Sequence, residues 1–198
     1  DAYNVAIGFA AGENVSTGSR NILIGGLAGD ALTTGAYNIA IGHNALGAED
    51  VEGKSVAIGH QALMAQNGGG ADPMNVAVGY QAGAAVSTGL YNTIIGGEAG
   101  KALTAAYSNV AIGSQTLQTE DDHGFNTAVG ARALQTLNAG AHGYNSAVGY
   151  TAGTAMTTGV ANTLIGSNTG DALTTGAYNV AVGKGALSTE DTGGTNTA

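Results

Sequence analysis

The chain has no cysteine and no tryptophan, one proline, two phenylalanines and only five lysines and arginines in 198 residues. Without cysteine there are no disulfides and no thiolate metal sites, while the redox compartment stays open because extracellular fibres often lack cysteine too. So few large aromatic residues leave too little bulk for an ordinary globular core. Five cationic residues stand against fourteen Asp and Glu, a formal charge of −9. A phosphate backbone would be repelled over most of such a surface, so nucleic acid is not expected as a partner. No apolar run approaches the roughly 20 residues of a membrane span, and membrane insertion is not expected either. The chain does not open on a basic segment and apolar stretch of signal-peptide type. It starts and stops inside a repeating pattern, which predicts one repeat domain over 1–198, cut from something longer.

What the chain does have is glycine, 35 residues of it, and self-similarity. The segment GDALTTGAYN occurs at Gly29 to Asn38 and again, unchanged, at Gly170 to Asn179. The underlying unit is a pentad, Asn-x-x-(Ile/Val)-Gly, whose glycines are Gly8, Gly25, Gly42, Gly59, Gly79, Gly96, Gly113, Gly130, Gly149, Gly166 and Gly183. Their spacing is 17 residues except for one step of 20 and one of 19, which defines eleven coils. The pentads open on Asn4, Asn21, Asn38, Asn75, Asn92, Asn109, Asn126, Asn145, Asn162 and Asn179, with Ser55 opening the remaining one and Asn196 beginning a twelfth.

A second period lies above the first. Counting the opening Asn as position one, position nine reads Gly, Gly, Leu, Leu in rotation from Gly12 to Leu187. Four coils therefore make a super-repeat, over about 4–74, 75–144 and an incomplete 145–198. Bulk at position nine trades against position twelve: Gly coils carry Val15, Leu32, Val86, Leu103, Met156 or Leu173 there, while the third coil of each super-repeat has Leu at nine and Glu49, Glu120 or Glu190 at twelve. This pattern predicts one interior slot filled from two backbone positions. Position three is Ala in eight coils and Leu23, Ile94 or Leu164 in every second coil of a super-repeat.

A 17-residue unit with only three or four consecutive β-forming residues is too short for a helical hairpin, and glycine at this density opposes helix. Stacked β-coils fit, so the expected fold is all-β, a parallel β-solenoid or β-roll of about eleven coils. Alternation along a strand places positions two and four on one face, and the Ile or Val at position four is expected to point into the core. The pentad glycines are expected to turn the chain through positive φ or close backbone approach, and the Thr-Gly pairs to supply a second corner. The opening asparagines are expected to stack into a hydrogen-bonded column at a spacing of about 4.8 Å. Twelve such coils make a rod on the order of 55 Å long with open edges at both ends.

Candidate chemistry is sparse. His43 and His60 share position six of adjacent coils and are expected to stack; no third ligand is regularly placed beside them, so no metal site is assigned. His123 and His142 fall in corner segments and are expected to face solvent. The acidic groups Glu49 and Asp50, Glu120 to Asp122, and Glu190 and Asp191 recur once per super-repeat. Carboxylates in loops are calcium ligands in principle, but a solvated corner is the reading preferred here. Clusters four coils apart are too distant for a glycosidase pair. GGEAGKAL fails the phosphate-loop pattern, because Ile95 and Ala102 hold the positions that need Gly and Ser or Thr. No catalytic constellation stands out, so the chain is not expected to be an enzyme, and no cofactor is expected. Thr17, Thr34, Thr88, Thr158 and Thr175 raise an ice-binding alternative, but the array is interrupted every two coils. The two insertions, around Pro73 and His142, identify a surface corner, where a receptor contact could sit.

The coil NIAIGHNALGAEDVEGKS and its relatives resemble the Asn-x-Ala-Ile-Gly repeats of phage tail-fibre proteins, notably those that carry a self-cleaving chaperone domain. The core from Ser55 to Gly59 is similar to that of the β-roll heads of trimeric autotransporter adhesins. The 17-residue coil is longer than the usual adhesin-head coil, which favours the tail-fibre comparison. The resemblance spans essentially the whole chain and implies a homotrimeric fibre on a virion or outside a cell. On that basis the expected function is a structural shaft or adhesive segment, a rigid spacer whose partners are its own copies and a cell-surface receptor or glycan. The alternative is an ice- or carbohydrate-binding solenoid.

Overall fold

Each coil contributes three residues to one sheet, because the β-branched pair of the pentad is followed at once by a glycine that turns the chain. The computed structural model describes residues 2–198. Its strands are β1 (Val5–Ile7), β2 (Ile22–Ile24), β3 (Ile39–Ile41), β4 (Val56–Ile58), β5 (Val76–Val78), β6 (Thr93–Ile95), β7 (Val110–Ile112), β8 (Thr127–Val129), β9 (Ser146–Val148), β10 (Thr163–Ile165) and β11 (Val180–Val182). All eleven are parallel and lie in chain order in a single sheet. The chain is thus an all-β solenoid, and among the described residues no helix is long and apolar enough to cross a membrane. The beginning of a further coil adds a parallel bridge between Val180 and Thr197.

Register is kept throughout. Val56 pairs with Val76 and Thr127 with Ser146 despite the three and two extra residues between them. The insertions are absorbed at the corner, where Gly70 and Gly140 have open space around them.

Only one wall of the coil is a sheet. The other is made of turns held by backbone hydrogen bonds between successive coils, such as Gly29 N–H to Ala45 O at 3.0 Å and Ser87 N–H to Thr104 O at 2.9 Å. The turns depend on left-handed backbone. The pentad glycines have φ between +126° and +145°, and in all but the last a Cβ would come within 2.2–2.6 Å of the next glycine's backbone. No side chain can occupy that position without parting the coils. Positions seven, nine and seventeen, the last being the residue just before the next pentad even where an insertion lengthens the coil, are also left-handed, and there the residue is often not glycine: Arg132, Leu134 and Tyr144 have φ of 59°, 49° and 49°.

The core is a narrow lumen filled from positions three, eight, nine and twelve. Ala40, Ala57, Ala77, Ala111, Ala128, Ala147 and Ala181 at position three are fully buried, as are Leu23, Ile94 and Leu164. This corrects the expectation that position four faces the core: position three points inward, while the Ile and Val of positions two and four point out. The physical reason is width. A one-sheet coil encloses room for one small side chain per strand, so alanine goes inside and the larger β-branched residues form the outer surface. The trade between positions nine and twelve is steric. A Cβ on Gly29 would lie 2.8 Å from Leu23 Cδ2 and 2.9 Å from Leu32 Cδ1.

Candidate functional site

The outward sheet face is the first candidate. Positions two and four are Val, Ile, Thr or Ser in every coil, and none is charged. The columns are half-buried along the middle of the stack and more open towards the ends, with Ile7 60 % and Val182 61 % exposed. Parallel pairing in register makes the columns continuous, from Ile7 over Ile24, Ile41 and Ile58 onward. Two rims border this face. Position seventeen carries exposed Tyr3, Tyr37, Tyr91, Tyr144 and Tyr178, with Arg20 lying over the rings of Tyr3 and Tyr37. Position six carries the stack His43, His60 and Tyr80, whose successive ring centroids are 5.3 and 5.4 Å apart. The expected His43–His60 stacking is therefore present.

Behind the sheet runs the asparagine column. In Asn4, Asn21, Asn38, Asn75, Asn92, Asn109, Asn145, Asn162 and Asn179 the Nδ2 group donates to the carbonyl fourteen residues on, closing its own coil. The Oδ1 of each of the ten pentad asparagines accepts the backbone N–H that opens the next pentad. One amide thus serves both the coil and the stack, and direct bonds between neighbouring amides, such as Asn179 Nδ2 to Asn162 Oδ1 at 3.0 Å, are an addition to that scheme. Where Ser55 replaces asparagine, Gln66 reaches in from position twelve. Its Nε2 donates to Ser55 Oγ at 3.0 Å, and its Oε1 accepts from Asn75 Nδ2 at 2.8 Å.

The column predicts a measurable cost. Asn145→Ala leaves the Gly159 carbonyl and the Asn162 N–H, bonded at 2.9 and 3.0 Å, without partners in a buried setting. The expected loss is roughly 2 to 5 kcal/mol in urea denaturation. A loss below about 0.5 kcal/mol would show that water replaces the amide.

The acidic corners differ from expectation. Glu49 and Glu120 are fully buried, because position twelve points into the lumen whatever residue it carries. Glu120 accepts from Ala139 N–H at 3.3 Å and meets His123 Nδ1 at 3.2 Å. Burial pushes its carboxyl up, and the Ala139 N–H and His123 oppose that shift. The neighbouring acids reach the surface, where Asp50, Asp122 and Asp191 accept from the hydroxyls of Thr33, Thr104 and Thr174 of the preceding coil.

His123 and His142 are not solvent-facing as expected either. His142 Nε2 lies 2.7 Å from Tyr107 Oη, and its ring packs edge-on against Tyr107, Phe125 and Tyr144. The second insertion folds that histidine back over the coil. Glu120, Asp121 and His123 bring three ligand-type atoms within 4.8 Å of one another, but the Glu120 and His123 atoms are already engaged with each other. No pocket opens among the described residues. Comparison with family models, curated proteins and solved structures finds no match for the chain.

Proposed function

We propose that the chain is a shaft segment of an extracellular or virion fibre, a rigid spacer that assembles as a homotrimer through its outward sheet face. The observation that carries this reading is the uncharged face itself. Fourteen acids and five bases are distributed around the coil, yet none occupies positions two or four in eleven coils. Copies of net charge −9 repel one another generally, and this face is where they can approach without opposing charges. Exposed apolar surface that continues along a whole molecule is characteristic of an interface.

The stacking supports the shaft role. Each coil is bonded chiefly to its neighbours, with Tyr107 of the sixth coil also reaching His142 of the eighth, the register never slips, and the asparagine column ties backbone to backbone along the axis. Such an object transmits position and load and has no cleft in which to hold a substrate. The ice-binding alternative requires an ordered threonine plane, whereas the array of Thr17, Thr34, Thr88, Thr158 and Thr175 is interrupted every two coils. Contact with a receptor or glycan belongs on the exposed tyrosine rim, since aromatic rings offer apolar faces with polar tips.

Light scattering tests assembly directly. A mass near three times the 19.2 kDa of the chain is expected. A stable monomer at high protein concentration would overturn the homotrimer and favour the ligand-binding alternative.

A further inference from the structure

The third coil contains a carboxyl pair that the shaft does not require. Glu49 is fully buried and Glu52 is 5 % exposed. Glu49 Oε2 accepts from Gln66 Nε2 at 2.7 Å, and Glu52 Oε1 accepts from the N–H of Gly70 in the first insertion. The remaining oxygens, Glu49 Oε1 and Glu52 Oε2, are both buried and have no donor. Glu49 and Glu52 stand at positions twelve and fifteen of one coil, the same two positions at which Glu120 Oε1 and His123 Nδ1 lie 3.2 Å apart in the seventh coil, so the repeat sets the two carboxyls side by side. Two ionised carboxylates cannot share a dry site at that range without a positive charge between them.

Among the described residues no protein cation supplies it. The preceding coil offers Leu32 at the equivalent position, and the following coil offers Gln66, Ser55 and an insertion whose charged residue is Asp72. Lys54 is bonded at the surface to Asp72, and Asp50 accepts from Thr33 Oγ1 at 2.6 Å. The same place in the other super-repeats is resolved differently. Glu120 meets His123, and Glu190 accepts from Gly193 N–H at 2.7 Å. The first super-repeat alone carries an acid at position fifteen, where the others have His123 and Gly193.

We propose that Glu49 and Glu52 hold one proton between Glu49 Oε1 and Glu52 Oε2, making this junction a proton-binding site whose loss of that proton loosens the stacking of the third to fifth coils. Releasing the proton to water leaves two negative charges in the lumen, facing each other across the Gln66 network that replaces the missing asparagine at Ser55. That network has no spare donor, because the Gln66 amide already donates to Glu49 and Ser55 and accepts from Asn75.

The direction of the pH response follows from the pair. Burial, then the contact with Glu52, raises Glu49 from 4.5 to about 7. Glu52 is lowered: burial pulls it upward, but bonds from Glu49 and the Gly70 N–H outweigh that pull. Between about 4.5 and about 7 the native pair therefore holds one proton that the unfolded chain does not, and stability falls as pH rises through that window. Below the window the unfolded chain binds both protons while native Glu52 resists, so stability falls again as pH drops.

Glu49→Gln imitates the protonated state, since its amide donates permanently to Glu52 Oε2 and still accepts from Gln66. Hydrogen exchange by mass spectrometry on peptides covering residues 49–75 compares variant and wild type at the same pH, which cancels the intrinsic exchange rates. The expected protection ratio is near one at pH 5 and rises to on the order of a hundredfold in favour of the variant at pH 8. Glu52→Gln donates in the opposite direction and gives the same rise, so the test survives if one variant fails to fold. A ratio that does not change with pH in either variant overturns the shared proton. Millimolar calcium restoring wild-type protection at pH 8 overturns it too, by placing a divalent cation there instead. Because the pair lies within one chain, the result is independent of the outcome for the homotrimer.

Discussion

Gly96→Ala should cost about 3 kcal/mol or more and divide the stack between its sixth and seventh coils. Gly96 has φ of +134°, and a Cβ there would lie 2.5 Å from the carbonyl carbon and oxygen of Gly113 and 2.9 Å from Ser114 N. Left-handed strain accounts for roughly 1 to 3 kcal/mol and the overlap for about as much again. None of the atoms it would meet is the movable end of a side chain. They are backbone held in the parallel ladder, where Gly113 N–H donates to Ile95 O at 2.7 Å. In a one-dimensional array a parted interface has few distant contacts to bridge it; here Tyr107 of the sixth coil reaches His142 of the eighth, and one part-buried contact is too little to couple the halves, so the two parts should unfold separately. Urea denaturation of Gly96→Ala is expected to show two transitions where wild type shows one. Gly97→Ala is the control, because a Cβ at Gly97 meets nothing within 4 Å and should change stability by less than about 0.5 kcal/mol. Equal behaviour of the two variants would mean that the coils separate easily at this column.

The strands were legible to the residue from the pentad. Each begins immediately after the opening Asn or Ser and ends immediately before the glycine, because that is where β-branched residues meet a turn. Which side of the strand faces inward was not legible from hydrophobicity, which favours burying Ile over Ala. A better sign lay in the super-repeat. Leu23, Ile94 and Leu164 appear at position three in coils whose ninth residue is Gly29, Gly100 or Gly170. Residues that exchange volume must share a space, so position three belongs in the lumen with nine and twelve.

The same reasoning locates Glu49 and Glu120. Both take the place that Leu32 and Leu103 fill one coil earlier, and the repeat carries them inside whatever their charge. A preference for acids at the surface holds for isolated residues. It fails where a repeat fixes side-chain direction before side-chain chemistry is chosen. Left-handed backbone at Gln61, Arg132 or Tyr178 had no sequence sign at all, since none of these residues favours φ near 60°. There the closed coil and its neighbours impose a conformation that local preference would refuse. Gln66 lies between these cases. Its position marks it as interior, but its service to Ser55 and Asn75 becomes visible only when the coils are stacked.

Ile112→Asp should reduce the solution mass from three chains to one without unfolding the coil. Ile112 is at position four of β7, near the middle of the stack, and its side chain is only half-buried within one chain. An aspartate there remains hydrated in the monomer, so its expected cost to the isolated solenoid is no more than about 1 kcal/mol. In a homotrimer joined by this face, three carboxylates would be brought together out of water with no cation beside them, since positions two and four are uncharged in every coil. Each unpaired buried charge costs several kcal/mol, and their mutual repulsion adds to it. That sum exceeds what the neighbouring aliphatic contacts, at roughly 1.5 to 3 kcal/mol per buried side chain, can offset around a single coil. Asn138→Asp places the same charge on the exposed second insertion, away from the strands, and should leave the mass unchanged. Sedimentation and far-ultraviolet circular dichroism on both variants separate the outcomes. A folded Ile112→Asp chain that keeps the threefold mass would place the interface on another face of the coil. The tyrosine rim would then be the surface to substitute, because Tyr3, Tyr37, Met74, Tyr91, Phe125, Tyr144 and Tyr178 expose apolar groups along it.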